Sequence, residues 1–161
     1  MAETVGKRVP KTVVRRSAIH GSGVFANRTI RKGERIIEYR GEQISVDEGD
    51  RRYPVPDEGV HHTFLFTLDD DVLVDGGSRG NSARLINHSC DPNAESLVED
   101  DHIWIYALRT IRKGEEITYD YHMEVPGRVT KADILQYPCA CGARRCRGTL
   151  IDMKRAKKRK R

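Results

Sequence analysis

The hydrophobic and polar positions along the chain follow the two-residue alternation of β-strands more often than the 3.6-residue spacing of helices. Runs of three to six β-branched or aromatic residues are bounded by Gly, Pro, Asp or Asn, which commonly end strands. The predicted strands are Thr12 to Arg16, Arg35 to Tyr39, Phe64 to Leu68, Val72 to Val74, His102 to Ala107 and Glu116 to Tyr119. The pattern predicts a mostly β fold.

The clearest helix signal is a capping-box pattern, in which Ser45 stands three residues before Glu48. We expect a turn or two of helix that ends near Tyr53, because two prolines follow. Residues 53 to 60 have no apolar period, which favours a surface loop.

One nine-residue segment occurs twice in the chain. Residues 28 to 36 read RTIRKGERI and residues 109 to 117 read RTIRKGEEI, so eight of nine positions match. A single recurrence is not a repeat array. It predicts two similar turns in which Gly33 and Gly114 adopt a positive φ and lead into a strand.

The length of 161 residues and the hydrophobic content of 37% suit one domain with one modest core. No stretch approaches the ~18 consecutive apolar residues of a membrane span, and the start has no apolar segment of a secretory signal. We therefore expect a soluble protein in a reducing compartment, where cysteines remain thiols.

The net charge of +5 is unevenly distributed. Residues 154 to 161 carry seven positive charges and residues 1 to 16 a net charge of +4, which leaves −6 for residues 17 to 153. The acidic body favours a cationic partner, and the basic tail favours an anionic one such as nucleic acid. Alternatively, the acidic loops are ordinary solvated surface, and the tail serves only for solubility or targeting.

The four cysteines have the composition of a zinc site. Cys139, Cys141 and Cys146 lie within eight residues, and Cys90 is the only other cysteine. Four thiolates form a closed tetrahedral zinc site, which is structural rather than catalytic. Such a site would hold the C-terminal segment against the body. Four unrelated reduced cysteines are the alternative.

Several short motifs stand in a characteristic order along the chain. They are the Gly21-Ser-Gly23 loop, Glu38-Tyr-Arg-Gly-Glu42, Arg84-Leu-Ile-Asn-His-Ser-Cys90, Gly114 to Tyr121 and the Cys-x-Cys-x4-Cys tail. Together they resemble the SET-domain protein lysine methyltransferases over roughly residues 12 to 150. The resemblance implies a SET-domain fold of small sheets (a β-clip) with a knot-like crossing, in which the Asn87 segment passes under the C-terminal part, and a zinc-bound post-SET segment.

The resemblance also implies a division of the chain and a methyl donor. Residues 1–11 would form a basic N-terminal segment, 12–122 the SET domain, 123–150 the post-SET zinc-binding segment and 151–161 a basic tail. The donor would be S-adenosylmethionine. The residues implied to bind it are His20, Ser22, Gly23, Phe64, Asn87, His88 and Ala140. Related sequences often have Tyr at the position of Phe64 and a polar residue at that of Ala140.

Methyl transfer to lysine needs a neutral amine, whereas a free lysine with a pKa of ~10.4 is almost entirely protonated near neutral pH. A narrow apolar channel and a nearby sulfonium charge both disfavour the ammonium form. By resemblance Tyr121 aligns the amine, and Tyr119, two residues earlier and on the same strand face, borders it and biases the product towards mono- or dimethyllysine. Tyr39 and Tyr106 are weaker candidates for the channel wall, and ordinary half-buried strand aromatics are the alternative for both.

The predicted function is methyl transfer from S-adenosylmethionine to lysine in a basic protein or peptide, histone-like or ribosomal. A catalytically silent SET module that binds basic peptides, and a zinc-containing nucleic-acid-binding protein, are the alternatives. The chain resembles short bacterial SET proteins, which favours the bacterial cytoplasm or nucleoid; in a eukaryote the basic tail would favour the nucleus. No membrane partner is expected, and no pattern indicates an oligomeric state.

Overall fold

The computed structural model describes residues 9 to 154, which consist mostly of short strands. The strands are β1 Thr12–Arg16, β2 Ser22–Ala26, β3 Arg35–Tyr39, β4 Glu42–Ser45, β5 Leu65–Thr67, β6 Val72–Asp75, β7 Asn87–His88, β8 Ala94–Glu99, β9 His102–Ala107 and β10 Glu116–Tyr119. The mostly β prediction is therefore confirmed. The strand predicted over 64–68 is shorter than expected, and the one predicted over 72–74 extends by one residue.

The larger sheet contains seven strands and brings distant parts of the chain together. Six of them run in the order β1-β2-β10-β8-β9-β3, and β7 pairs with β10 off this path. The pairing of β7 with β10 is parallel, with Asn87 opposite Thr118 and His88 opposite Tyr119. This places the Asn87 segment against strand β10, as the resemblance implied.

A smaller antiparallel sheet, in the order β4-β6-β5, carries helix α1 Val46–Arg52 at the end of β4. The side chain of Ser45 accepts a hydrogen bond from the amide of Glu48, and the helix ends at Tyr53, so the predicted helix is confirmed. A 3-10 turn, Ser82–Leu85, precedes β7, and helix α2 Lys131–Gln136 precedes the cysteines of the tail. With seven and six residues, neither α-helix of the described part could span a membrane.

The core of the described part is made mainly of isoleucines from the larger sheet and its turns. The fully buried ones are Ile30, Ile86, Ile103, Ile105, Ile111, Ile117 and Ile151. Along β9 the buried positions alternate with the outward-facing His102, Trp104 and Tyr106, as expected for a sheet with one covered face.

The two copies of the repeated segment meet in this core. The amides of Ile30 and Ile111 each donate to the other's carbonyl, at 2.8 and 2.9 Å. Gly33 and Gly114 have φ values of 77° and 89°, which confirms the two predicted glycine turns. Each turn also carries an Arg–Glu ion pair, Arg28 with Glu34 and Arg109 with Glu115. The copies therefore form two equivalent turns that face each other.

Candidate active site

The glycine loop of residues 17 to 23 is tied to β7 by Asn87. The Asn87 side-chain nitrogen donates to the carbonyl oxygens of His20, at 3.2 Å, and Ser22, at 3.1 Å. Asn87 is buried, so these bonds are shielded from water. The backbone predicted to bind the methyl donor is thus fixed to the strand that lies beside β10.

His88, the next residue, joins this strand to a tyrosine and to a cysteine. Burial lowers the pKa of His88 to about 4, so the ring is neutral near pH 7. Its Nδ1 accepts the backbone N–H of Tyr121 at 3.1 Å, and its Nε2 lies 3.4 Å from the Cys90 sulfur. Because Nδ1 accepts, the ring proton must be on Nε2.

The tyrosines predicted to surround the amine belong to a cluster of aromatic rings. The ring centroids of Tyr119 and Tyr121 are 5.0 Å apart, those of Phe66 and Tyr119 are 6.1 Å apart, and those of Tyr39 and Phe66 are 5.3 Å apart. Sequence reasoning did not single out Phe66. The sequence does contain a signal for it: Phe66 lies two residues after Phe64 on a predicted strand, so the two rings are expected on the same strand face.

The hydroxyls of this cluster are protonated at neutral pH. Burial raises the pKa values of Tyr39, Tyr119 and Tyr121 above the usual value. The Tyr121 hydroxyl donates to the carbonyl of Ile86 at 2.7 Å, and that of Tyr39 donates to the carbonyl of Phe64 at 2.6 Å. These phenols can orient a neighbouring amine through their oxygen lone pairs, but they are not bases.

Tyr106 lies outside this cluster, although the sequence made it a channel candidate. It points from the outward face of β9, where its hydroxyl donates to Glu99 and accepts from Arg35 at 2.9 Å. The structure therefore brings Tyr39, but not Tyr106, to the two C-terminal tyrosines.

Four of the residues predicted to bind the methyl donor are exposed, namely His20, Ser22, Phe64 and Ala140. Phe64 is 39% exposed, and His20 stacks on His62 with ring centroids 5.2 Å apart. Ala140 is exposed between Cys139 and Cys141. These groups are accessible to a ligand, in contrast to the buried Asn87 and His88.

The four cysteines converge as the spacing predicted. Their sulfur atoms all lie within 4.8 Å of one another, and those of Cys90 and Cys139 are 3.8 Å apart. Four thiolates around zinc, with Zn–S bonds of about 2.3 Å, would have sulfur–sulfur distances of about 3.8 Å. The cluster therefore fits a tetrahedral zinc ion in both donor type and spacing.

Backbone amides donate hydrogen bonds to three of these sulfurs. The amide of Arg147 donates to Cys90, and that of Gly148 donates to Cys146. Burial opposes ionisation of Cys141, but hydrogen bonds, first from the amides of Cys90 and Ala143, lower its pKa to about 6. Such amide contacts are typical of the surroundings of metal-bound thiolates.

Arg147 connects the cysteine-rich segment to β10. Its guanidinium forms two hydrogen bonds to Asp120, at 2.6 and 2.8 Å, and Asp120 stands between Tyr119 and Tyr121. Burial opposes ionisation of Asp120, but Arg147 lowers its pKa to about 2. The carboxylate thus remains charged near neutral pH and anchors the C-terminal segment beside the tyrosines.

Comparison with known proteins identifies the family of this arrangement. Residues 21 to 122, well over half of the chain, match the model of the SET domain. The chain belongs to the SET-domain family. Trithorax of Drosophila virilis, a histone-lysine N-methyltransferase, is 44% identical over 136 residues, which are 82% of the chain and 3% of that protein.

Two further relatives agree with the SET-domain assignment. Human histone-lysine N-methyltransferase 2B is 45% identical over 138 residues, 83% of the chain and 5% of that protein. Histone-lysine N-methyltransferase set1 of Dictyostelium discoideum is 42% identical over 142 residues, 84% of the chain and 9% of that protein. The SET-domain chain thus spans less than a tenth of the length of these relatives.

Proposed function

We propose that the chain transfers methyl groups from S-adenosylmethionine to the side-chain amine of lysine in a basic protein. One observation carries the proposal: Asn87 holds the backbone of the glycine loop, and the adjacent His88 holds the backbone of Tyr121. The loop proposed to bind the donor and the tyrosine proposed to align the acceptor therefore meet at two consecutive residues.

The residues proposed to bind S-adenosylmethionine are His20, Ser22, Gly23, Phe64, Asn87, His88 and Ala140. When bound, this donor would supply a methyl group on a sulfonium; the neutral amine would bond to the methyl carbon as the carbon–sulfur bond breaks, and the sulfur would leave as a neutral thioether. The exposed residues Phe64 and Ala140 suit contacts with a ligand that enters from solvent. Asn87 acts mainly on the loop, because its two N–H groups are shared among the carbonyls of His20 and Ser22 and the carboxylate of Glu116.

On the acceptor side, the aromatic cluster performs two tasks. The buried rings of Tyr39 and Tyr119, with the partly buried ring of Phe66, disfavour an ammonium group by desolvation, which helps the lysine to lose its proton. The hydroxyl of Tyr121 then orients the neutral amine towards the donor. Because its pKa is raised, it does so as a hydrogen-bonding phenol.

We further propose that Cys90, Cys139, Cys141 and Cys146 bind one structural zinc ion. The sulfur spacing and the amide contacts support this assignment. We propose residues 12–122 as the SET region and residues 123–150 as the post-SET segment. The ion would join Cys90, at the end of the Asn-His-Ser-Cys segment, to the post-SET segment. It would thereby hold Ala140 near the SET region. The match to the SET domain ends at residue 122 and supports that boundary.

The proposed substrate is a histone or another basic protein. The net charge of −6 over residues 17 to 153 suits a lysine-rich partner. The named relatives are eukaryotic histone-lysine methyltransferases, so they do not support the bacterial location that the sequence favoured. The predicted contact of the basic tail with nucleic acid falls on residues that, after Lys154, lie outside the described part.

Incubation of the full chain with labelled S-adenosylmethionine and a mixture of core histones tests the proposal. We expect labelled lysine in at least one histone and a large loss of label with Tyr121→Phe. Donor binding without transfer to any basic protein would favour the catalytically silent module. Tail-dependent binding of nucleic acid without donor binding would favour the nucleic-acid-binding alternative.

A further inference from the structure

The two copies of the repeated segment differ at one position, which is Arg35 in the first copy and Glu116 in the second. The turns themselves do not require this difference, because both use the preceding glutamate, Glu34 or Glu115. Arg35 lies on the outer face of the sheet, 4.2 Å above the ring of Trp104. Glu116 instead turns towards the glycine loop of residues 17 to 23.

The carboxylate of Glu116 accepts hydrogen bonds from both sides of that loop. The hydroxyl of Ser17 lies 2.7 and 2.9 Å from its two oxygens, and the side-chain nitrogen of Asn87 lies 2.8 Å from Oε1. The Ser17 oxygen in turn accepts from the amides of Ile19, at 2.9 Å, and His20, at 3.4 Å. Bonds to an ionised acceptor are stronger than neutral ones, so Glu116 is the strongest acceptor of this network.

The close packing of Gly23 points to the same residue. A Cβ atom at Gly23 would overlap the carboxylate of Glu116 and lie 3.1 Å from the Cβ of Ser17. Any side chain at position 23 would therefore displace Glu116 from the loop. The absence of a side chain at Gly23 thus allows the close approach of Glu116.

We propose that Glu116 is a positioning residue for the methyl donor. It holds Ser17 and Asn87 together, and these fix the amide of His20 and the carbonyls of His20 and Ser22 in one arrangement. The inference rests on the proposed function, because it assigns this loop to S-adenosylmethionine. Without Glu116 the loop would populate several arrangements. The apparent affinity for the donor would then fall in proportion to the fraction of molecules whose loop is in the binding-competent arrangement.

Glu116→Gln tests this directly, since it keeps the size of the side chain and removes its charge. We expect Kd and KM for S-adenosylmethionine to rise about tenfold, as for a loop that is competent about a tenth of the time, with kcat within about twofold. Glu115→Gln is the matched control. It makes the same change one residue earlier, where the carboxylate faces Arg109 and the turn, and donor affinity should stay within about twofold.

Ser17→Ala provides a second variant that removes no charge. Because Ser17 acts through Glu116, we expect a smaller rise in donor Kd in the same direction. In the double variant with Glu116→Gln, the rise in donor Kd should be smaller than the product of the two single-variant rises. Independent, multiplying effects would contradict the proposed network.

Amide hydrogen exchange in the full, donor-free chain measures the loop itself. Exchange over residues 17 to 23 should be faster in Glu116→Gln than in the wild type, and unchanged in Glu115→Gln. Unchanged donor affinity in Glu116→Gln, or a lower kcat and melting temperature at constant Kd, would overturn the inference and leave the proposed function standing. A wild-type chain that binds no S-adenosylmethionine would overturn both.

Discussion

At the scale of single residues, Tyr121 has the most direct prediction. Its hydroxyl is held near the aromatic cluster by the Ile86 carbonyl, and Tyr121→Phe removes the group that orients the amine. We expect kcat to fall by about 10² or more, with KM for the donor nearly unchanged. Steady-state kinetics with a lysine peptide measures both.

Tyr106→Phe is the control for Tyr121→Phe. It also removes a phenol that hydrogen-bonds within the protein, but on the outer face of β9. Its turnover should stay within about twofold of the wild type. Equal losses in the two variants would mean that Tyr121 has no special role in the reaction.

Tyr119 should limit how many methyl groups are added. Tyr119 is buried with its ring centroid 5.0 Å from that of Tyr121, so its hydroxyl is placed to hold a water molecule beside the amine. Tyr119→Phe should release that water at a cost of ~1 kcal/mol and give space for a methylated amine to rotate. Mass spectrometry of a peptide over time should show more highly methylated lysine. An unchanged product distribution would exclude Tyr119 as the limit.

At the scale of elements, Asp75 fastens helix α1 to strand β6. Its carboxylate is 2% exposed and accepts from Arg52 at 2.9 Å and from Tyr53 and the amide of Gly77, each at 2.8 Å. Burial alone would raise the pKa of Asp75, but these hydrogen bonds hold it below its usual value. Asp75→Asn should destabilise the chain by about 2 kcal/mol near pH 7.

The pH dependence of that loss follows from the lowered pKa. The unfolded chain binds a proton at Asp75 near pH ~3.9, above the pKa of the folded state. The stability contributed by the carboxylate is therefore complete above about pH 5 and is lost as the pH falls through the folded pKa. Urea unfolding of the wild type and Asp75→Asn should give curves that converge in acid. A difference that grows in acid would contradict this assignment.

The cysteine cluster predicts one zinc ion per chain, measurable by metal analysis of the purified protein. Because its ligands come from residue 90 and from residues 139 to 146, Cys139→Ser should loosen the C-terminal segment and weaken donor binding together. A zinc ratio near zero with full activity would contradict the prediction.

The elements that could be predicted are those with strong local signals. Four of the predicted strands have the observed bounds, because aromatic or β-branched runs end there in turn residues. Strands β2, β4, β7 and β8 are rich in small or polar residues, lack such a run and were missed. Helix α2 had a readable signal in the capping box of Thr130 and Asp133.

At the scale of the whole molecule, the acidic body and the basic tail predict two separate functions, methylation by the body and nucleic-acid binding by the tail. Residues 155 to 161 lie outside the described part and carry six of the seven positive charges of the tail. Deleting them should leave methylation of a short peptide nearly unchanged while nucleic-acid affinity falls and loses its salt dependence. Filter binding over a salt series measures the second effect. Loss of peptide methylation would place the tail in the catalytic fold instead.

The site could be predicted only as far as motifs identify residue types. The resemblance named the tyrosines, Asn87 and the cysteines, but no local pattern shows that Phe66 joins the tyrosines or that Glu116 reaches Ser17. Those contacts join residues 53 and 99 positions apart. They depend on sheet topology, which periodicity does not determine.

The same topology constrains the order of folding during synthesis. Strand β2 lies between β1 and β10, so its second edge remains unpaired until residues 116 to 119 have left the ribosome. Long-range pairings of this kind form slowly, and unpaired edges invite aggregation meanwhile. Fragments that end before β10 should therefore be insoluble even though they contain most of the predicted strands.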